Sequence, residues 1–127
     1  MNKNISGTVE PHQGNGRRFG YPTANINCPA DLDEGIFIGY TSIEGEPEHQ
    51  NMPSMIYVGT SETLHELNKR LESHILDFED RDLYGKNIQV NIVEKVRASV
   101  RFDGTEELIE QMQRDERDIR EWFQQSS

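Results

Sequence analysis

One cysteine, one tryptophan and five prolines occur in 127 residues. Cys28 stands alone, so no disulfide can form within the chain, and a reducing cytoplasm is the expected setting. The lone thiol reads as a bystander and not as a nucleophile. His12, His49, His65 and His74 lack the spacing of metal ligands, which argues against a zinc site. Long apolar runs are also missing. The longest stretches are about four or five residues, far short of the ~20 that a membrane helix requires. Met1 to Gly7 carries no apolar export segment. Basic residues are few, 13 Lys and Arg against 23 Asp and Glu, which gives a formal charge of −10 and a pI near 4.8. Such a field repels duplex nucleic acid and anionic membrane, so neither is an expected partner.

Leu, Ile, Val and Phe number 29 of 127 residues and gather into short alternating runs. They suit one small domain over residues 1–127 with a polar exterior. Gly35 to Ile43 is rich in β-formers and stops at the turn Glu44-Gly45-Glu46-Pro47. Pro53 to Thr60 and Asn87 to Val96 read as further strands. In the latter, Ile88, Val90 and Ile92 alternate with Asn87, Gln89 and Asn91, the period of a half-buried antiparallel strand. Arg70 to Phe78 alternates less cleanly, with Glu72, His74, Leu76 and Phe78 on one face. Ser61 to Leu71 is ambiguous between a helix and an ordered loop, because Leu64, Leu67 and Leu71 have helical spacing.

From Thr105 to Phe123, Leu108, Met112, Ile119 and Trp122 recur at helical spacing, widened by Ile109 and Phe123. Asp103 or Thr105 suits the cap, and Glu116 with Arg120 is a favourable i,i+4 pair. The fold class is therefore mainly β. A small barrel over about residues 5–102 with an amphipathic helix over about 104–123 closes the sheet edges most economically.

Three segments can carry chemistry. In Gln13 to Asn25, Gly14, Gly16 and Gly20 let the backbone approach a ligand, and Arg17 and Arg18 add charge for phosphate. Thr23 and Asn25 point the same way in an extended chain and suit a hard cation. The same stretch also reads as an ordinary turn with solvated charges. In Leu71 to Phe78, Glu72 suits a general base in phosphoryl transfer, or is simply a surface carboxylate. In Val96 to Phe102, Arg97, Arg101 and Phe102 suit a planar ligand, or pair with the many acids.

The order of these segments resembles the riboflavin kinase (flavokinase) family. Gly20-Tyr21-Pro22-Thr23-Ala24-Asn25 is similar to its G-F-P-T-A-N, and Gly35-Ile36-Phe37 to its G-V-Y. Glu72-x-His74-Ile75-Leu76-Asp77-Phe78 is similar to its E-x-H-L-L-D-F. Asp82-Leu83-Tyr84-Gly85-Lys86, Arg97 with Phe102, and the helix from Leu108 to Asp115 follow in the family's order. The sequence differs from the pattern at His12, Glu62 and Val100.

The resemblance implies a closed six-stranded antiparallel barrel with a C-terminal helix, transferring the γ-phosphate of ATP to the 5′-hydroxyl of riboflavin to give FMN. It implies Mg²⁺ on Thr23 and Asn25, and Glu72 as catalytic base. Gly14, Gly16, Arg17 and Thr23 would lie at the phosphates, and Ile75, Asp77 and Tyr84 near the nucleotide. Arg97, Arg101 and Phe102 would lie at the flavin. The family's frequent second domain, an adenylyltransferase with an H-x-G-H signature, has no counterpart here. A monofunctional, monomeric kinase that takes small-molecule substrates is expected. A catalytically weak flavin- or nucleotide-binding module and an acidic protein-interaction barrel are the rival readings.

Overall fold

The computed structural model describes residues 2–11, 22–29, 31–63, 66–79, 81–99 and 104–126, without the side chains at 61–63 and 66–68. Six strands precede one helix: β1 Lys3–Thr8, β2 Ala24–Asn27, β3 Gly35–Ile43, β4 Met52–Thr63, β5 Glu66–Ile75, β6 Asn87–Ala98 and α1 Thr105–Ser126. They pair antiparallel in the order β1-β6-β3-β4-β5-β2. Just past β1, the Glu10 amide donates to the Asn25 carbonyl of β2 at 2.9 Å. A Cβ at Gly7 would lie 3.1 Å from the Ile26 Cβ, so glycine is what lets the two outer strands approach. The result is a nearly closed barrel, the predicted architecture.

Strand alternation assigns the two faces. Ile26, Phe37, Ile56, Val58, Leu71, Ile88, Val90 and Ile92 fill the barrel interior. A second cluster, Ile36, Ile38, Met55, Leu76, Met112 and Ile119, lies between the outside of β3–β4 and the helix. The helical stripe is as expected, with one addition. Asp115 sits on the buried face at 1% exposure because the Arg97 guanidinium grips both its oxygens, at 2.9 and 2.7 Å. The cap differs from expectation as well. The Gly104 carbonyl accepts from the Leu108 amide at 3.2 Å, which makes Gly104 the N-cap and Thr105 the first helical residue.

The ambiguous stretch around 61–71 belongs to two strands, the end of β4 and the start of β5, with 64–65 outside the described residues. β5 then stops at Ile75 and the chain turns at Asp77, where φ is 57°. Phe78 therefore leaves the face of Glu72 and His74 and packs against the interior cluster instead. No helix among the described residues is long and apolar enough to cross a membrane.

Three hydroxyls interrupt the apolar interior. Thr41 Oγ1 lies 2.8 Å from Ser54 Oγ and 2.7 Å from Ser73 Oγ, all three groups being buried. Ser54 gives its one proton to the Met52 carbonyl at 2.8 Å. Thr41 must then donate to Ser54 and accept from Ser73, so the protons run one way along the chain. Thr41→Val breaks two of these bonds and leaves the Ser73 proton buried without an acceptor. The expected loss is about 1–3 kcal/mol of stability, read from the urea midpoint. An unchanged midpoint would show that this network does not hold the three strands.

Candidate active site

The β2–β5 register sets Asn25 opposite Glu72, both on the outside of the barrel. Thr23, two residues before Asn25, shares that face. Its hydroxyl donates to Glu72 Oε1 at 3.3 Å. The Thr23 proton is thereby directed at the carboxylate and the oxygen's lone pairs remain as donors to a cation. His74, also on this face, donates from Nδ1 to the Pro22 carbonyl at 2.9 Å and anchors the approach to Thr23. The three oxygen-bearing residues predicted to act together are thus brought together.

Asn25 is 2% exposed. Its Oδ1 accepts from Arg70 Nε at 3.1 Å, and the same guanidinium bonds Asn27 Oδ1 and reaches Glu10 Oε1 at 3.5 Å. Asn25 Nδ2 is buried with no hydrogen-bond partner among the described residues. A polar side chain buried on the barrel's outer face with half its amide unsatisfied is one the packing alone does not explain. Arg70 escaped the sequence reading. The signal was present, since the alternation Arg70, Glu72, His74 puts it on the face of Asn25 and Asn27.

Beside this cluster lies a cleft of about 580 Å³ that Thr23 and Asn25 help to line. Ile75, Phe78, Leu83 and Tyr84 supply its apolar wall, and Glu10, Glu79 and Asp82 make it acidic. Ile75 and Tyr84, which the family resemblance implies lie near a nucleotide, both line this cleft. Tyr84 is 60% exposed, on a turn that the sequence dictates. Asp82 Oδ1 accepts from the Tyr84 amide at 2.8 Å, and the Leu83 carbonyl accepts from the Lys86 amide at 2.9 Å. Gly85, at φ 84°, takes the turn position that disfavours a side chain.

Asp77 is not among the cleft-lining residues. Arg120 of α1 holds both its oxygens at 3.0 Å, and that hydrogen-bonded guanidinium keeps the Asp77 carboxyl below the usual carboxylate range. Arg97 lies across the barrel from the Thr23 cluster. Successive registers form the row Asn25, Glu72, Tyr57, Ile36, Arg97, so Glu72 and Arg97 are three strands, roughly 14 Å along the sheet, apart. The Arg97 fork is occupied by Asp115, tying β6 to the helix. Gly14, Gly16, Arg17, Arg101 and Phe102 lie outside the described residues.

Thr23 therefore stands between two surfaces. On one side is the acidic, apolar-walled cleft. On the other is the row that passes Glu72 and Tyr57 toward Arg97.

The chain is 35% identical over 119 residues to the bifunctional riboflavin kinase/FMN adenylyltransferase of Escherichia coli, covering 94% of this chain and 37% of that protein. It is 32% identical over 105 residues to mouse riboflavin kinase, covering 78% of this chain and 66% of that one. The crystal structure of riboflavin kinase from Trypanosoma brucei has the same fold, with a TM-score of 0.67, 20% identity, and 95% and 79% of the two chains covered. The chain thus spans little more than a third of the bifunctional relative's length. The family model described as flavokinase, riboflavin kinase, matches residues 1–123, and the chain belongs to that family.

Proposed function

We propose that the chain transfers the γ-phosphate of ATP to the 5′-hydroxyl of riboflavin, giving FMN and ADP. The observation that carries this reading is the contact of Thr23 with Glu72, beside Asn25, at the junction of a cleft and an open strand face. Phosphoryl transfer asks chiefly for positioning and charge neutralisation. In this reading the nucleotide occupies the cleft, with its base against Tyr84, Phe78 and Ile75. The loop carrying Gly14, Gly16 and Arg17 covers the phosphates, by analogy with the family. Riboflavin lies along the other face toward Arg97, Arg101 and Phe102.

Mg²⁺ suits the donor set. Thr23 Oγ1 and the Asn25 amide are hard oxygen donors beside an acidic cleft, and Mg²⁺ uses one or two protein oxygens with phosphate and water. When bound, Mg²⁺ neutralises the charge that develops on the transferring phosphoryl group and on the departing ADP. Arg70 orients the Asn25 amide, and the Thr23–Glu72 bond orients the carboxylate. Glu72 then accepts the riboflavin hydroxyl proton as that oxygen bonds to the γ-phosphorus and the bond to the β–γ bridging oxygen breaks. A cytoplasmic, monomeric enzyme agrees with the single cysteine and the strongly acidic surface.

The test is to incubate the chain with riboflavin, ATP and Mg²⁺, and to separate the flavins by chromatography with a metal-free control. FMN that appears only with metal supports the reading. Flavin binding without FMN would replace it with a binding module, and the absence of both would leave the fold without the activity.

A further inference from the structure

Glu46 lies in the turn between β3 and β4 and is not among the cleft-lining residues. Its carboxylate nonetheless gathers three donors: His49 Nδ1 at 2.7 Å, Arg81 Nη2, and Lys86 Nζ at 3.3 Å. Only 11% of the side chain is exposed. The hydrogen bond from His49, reinforced by that from Arg81, holds the carboxyl down to about 2, so Glu46 is ionised at any working pH.

Two of the three donors flank the turn that carries Tyr84, and one of them, Arg81, itself lines the cleft. The network continues onto an aromatic ring. The Arg81 guanidinium lies 5.6 Å over the centre of Phe78, and the His49 ring meets Phe78 edge-on at 5.1 Å. Phe78 is thus held by two residues that Glu46 holds.

Among the described residues, backbone bonds hold this segment only near its ends. Leu76 N bonds the Pro53 carbonyl at 2.9 Å at one end, and at the other Gly85 N bonds the Val9 carbonyl at 3.0 Å while the Lys86 carbonyl accepts from Val9 N at 2.8 Å. Between them, among the described residues, Arg81 N bonds only within the segment, to the Glu79 carbonyl at 2.9 Å. With no ladder bond among the described residues of its middle, this wall relies on side chains to fix it.

We propose that Glu46 is a positioning residue: through Arg81 and His49 it sets Phe78 and, with it, the cleft wall of Leu83 and Tyr84 against which a nucleotide's base and ribose rest. The nucleotide as ligand rests on the kinase reading above.

The experiment is calorimetric titration of MgATP, and separately of riboflavin, into the wild-type chain, Glu46→Gln, Arg81→Ala and the double variant. Steady-state kinetics are run on the same proteins. Glu46→Gln should weaken MgATP binding and raise its KM by about tenfold, the scale of one lost charge-assisted hydrogen bond, with kcat and riboflavin affinity within about twofold. The double variant should bind more weakly than Arg81→Ala alone but by clearly less than the sum of the two single losses, because Glu46 acts in part through Arg81 and in part through His49. Arg81→Ala reads the same wall if Glu46→Gln fails to fold.

Unchanged MgATP affinity in both single variants would overturn the proposal. So would fully additive effects, or an equal loss for riboflavin, since general loosening would spare neither ligand. A wild-type chain that binds MgATP but makes no FMN would remove the kinase reading and leave the Glu46 test intact. A wild-type chain that binds no MgATP overturns both.

Discussion

Glu72→Gln lowers turnover by about 100-fold or more, the scale of general-base loss, while MgATP and riboflavin bind nearly as before. Gln keeps the size of Glu, and its amide oxygen can still accept the Thr23 hydroxyl that now reaches Glu72 at 3.3 Å. The register with Asn25 and Tyr57 depends on the backbone and is untouched. What the variant loses is the capacity to take a proton from the acceptor hydroxyl as it attacks. The loss therefore falls on kcat and on kcat/KM alike, with little change in KM. Single-turnover kinetics at saturating substrates read this step directly. Near-normal turnover would remove Glu72 from the base role and reduce it to a hydrogen-bond partner of Thr23.

The second large effect is at the cation site. Thr23→Val with Asn25→Leu preserves shape and removes both candidate oxygen ligands. Arg70 keeps its bonds to Asn27 and Glu10, so the strand pair stays tied. Activity should fall below about one hundredth of wild type, and the response to added Mg²⁺ should disappear with it, because the phosphates then meet an acidic cleft with no metal ion to offset their charge. Thr23→Val alone should raise the Mg²⁺ needed for half-maximal rate and leave a measurable rate. Circular dichroism and the thermal midpoint establish that the double variant is folded. A folded double variant with unchanged Mg²⁺ half-saturation would place the cation elsewhere.

The elements legible in the sequence were those with one buried face. β6 alternates Ile88, Val90 and Ile92 inward against exposed Asn87 and Gln89, and a period of two has no helical reading. The helix showed itself through the spacing of Met112 and Ile119. Asp115 was hidden because a buried charge is visible only with its partner, and Arg97 lies on another element. β5 was hard for a different reason. Its inward face is Leu71, Ser73 and Ile75, and Ser73 breaks the apolar pattern because its partner hydroxyl, that of Thr41, comes from β3. Leu64, Leu67 and Leu71 then mimicked a helix, although β4 and β5 run through that stretch as paired strands.

The site divides along the same line. Thr23, Asn25 and Glu72 were legible as residue types suited to a cation and a proton, and the β2–β5 register brought them onto one face. Glu46 and Phe78 were not, since each meets Arg81 only in the folded chain. Asp77 was expected at the nucleotide. In the structure the left-handed turn it occupies aims its carboxylate at Arg120 of the helix.

The central claim, that phosphorus passes from ATP to riboflavin at the Thr23–Glu72 junction, is tested most directly by following that phosphorus. The chain is given ATP labelled at the γ-position together with riboflavin and Mg²⁺, and the label is sought in FMN, beside a parallel reaction with Glu72→Gln. The account predicts label in FMN at one atom per flavin, with the variant's rate reduced by about 100-fold. Label released as inorganic phosphate with no labelled flavin, from a chain that binds both substrates, would contradict it.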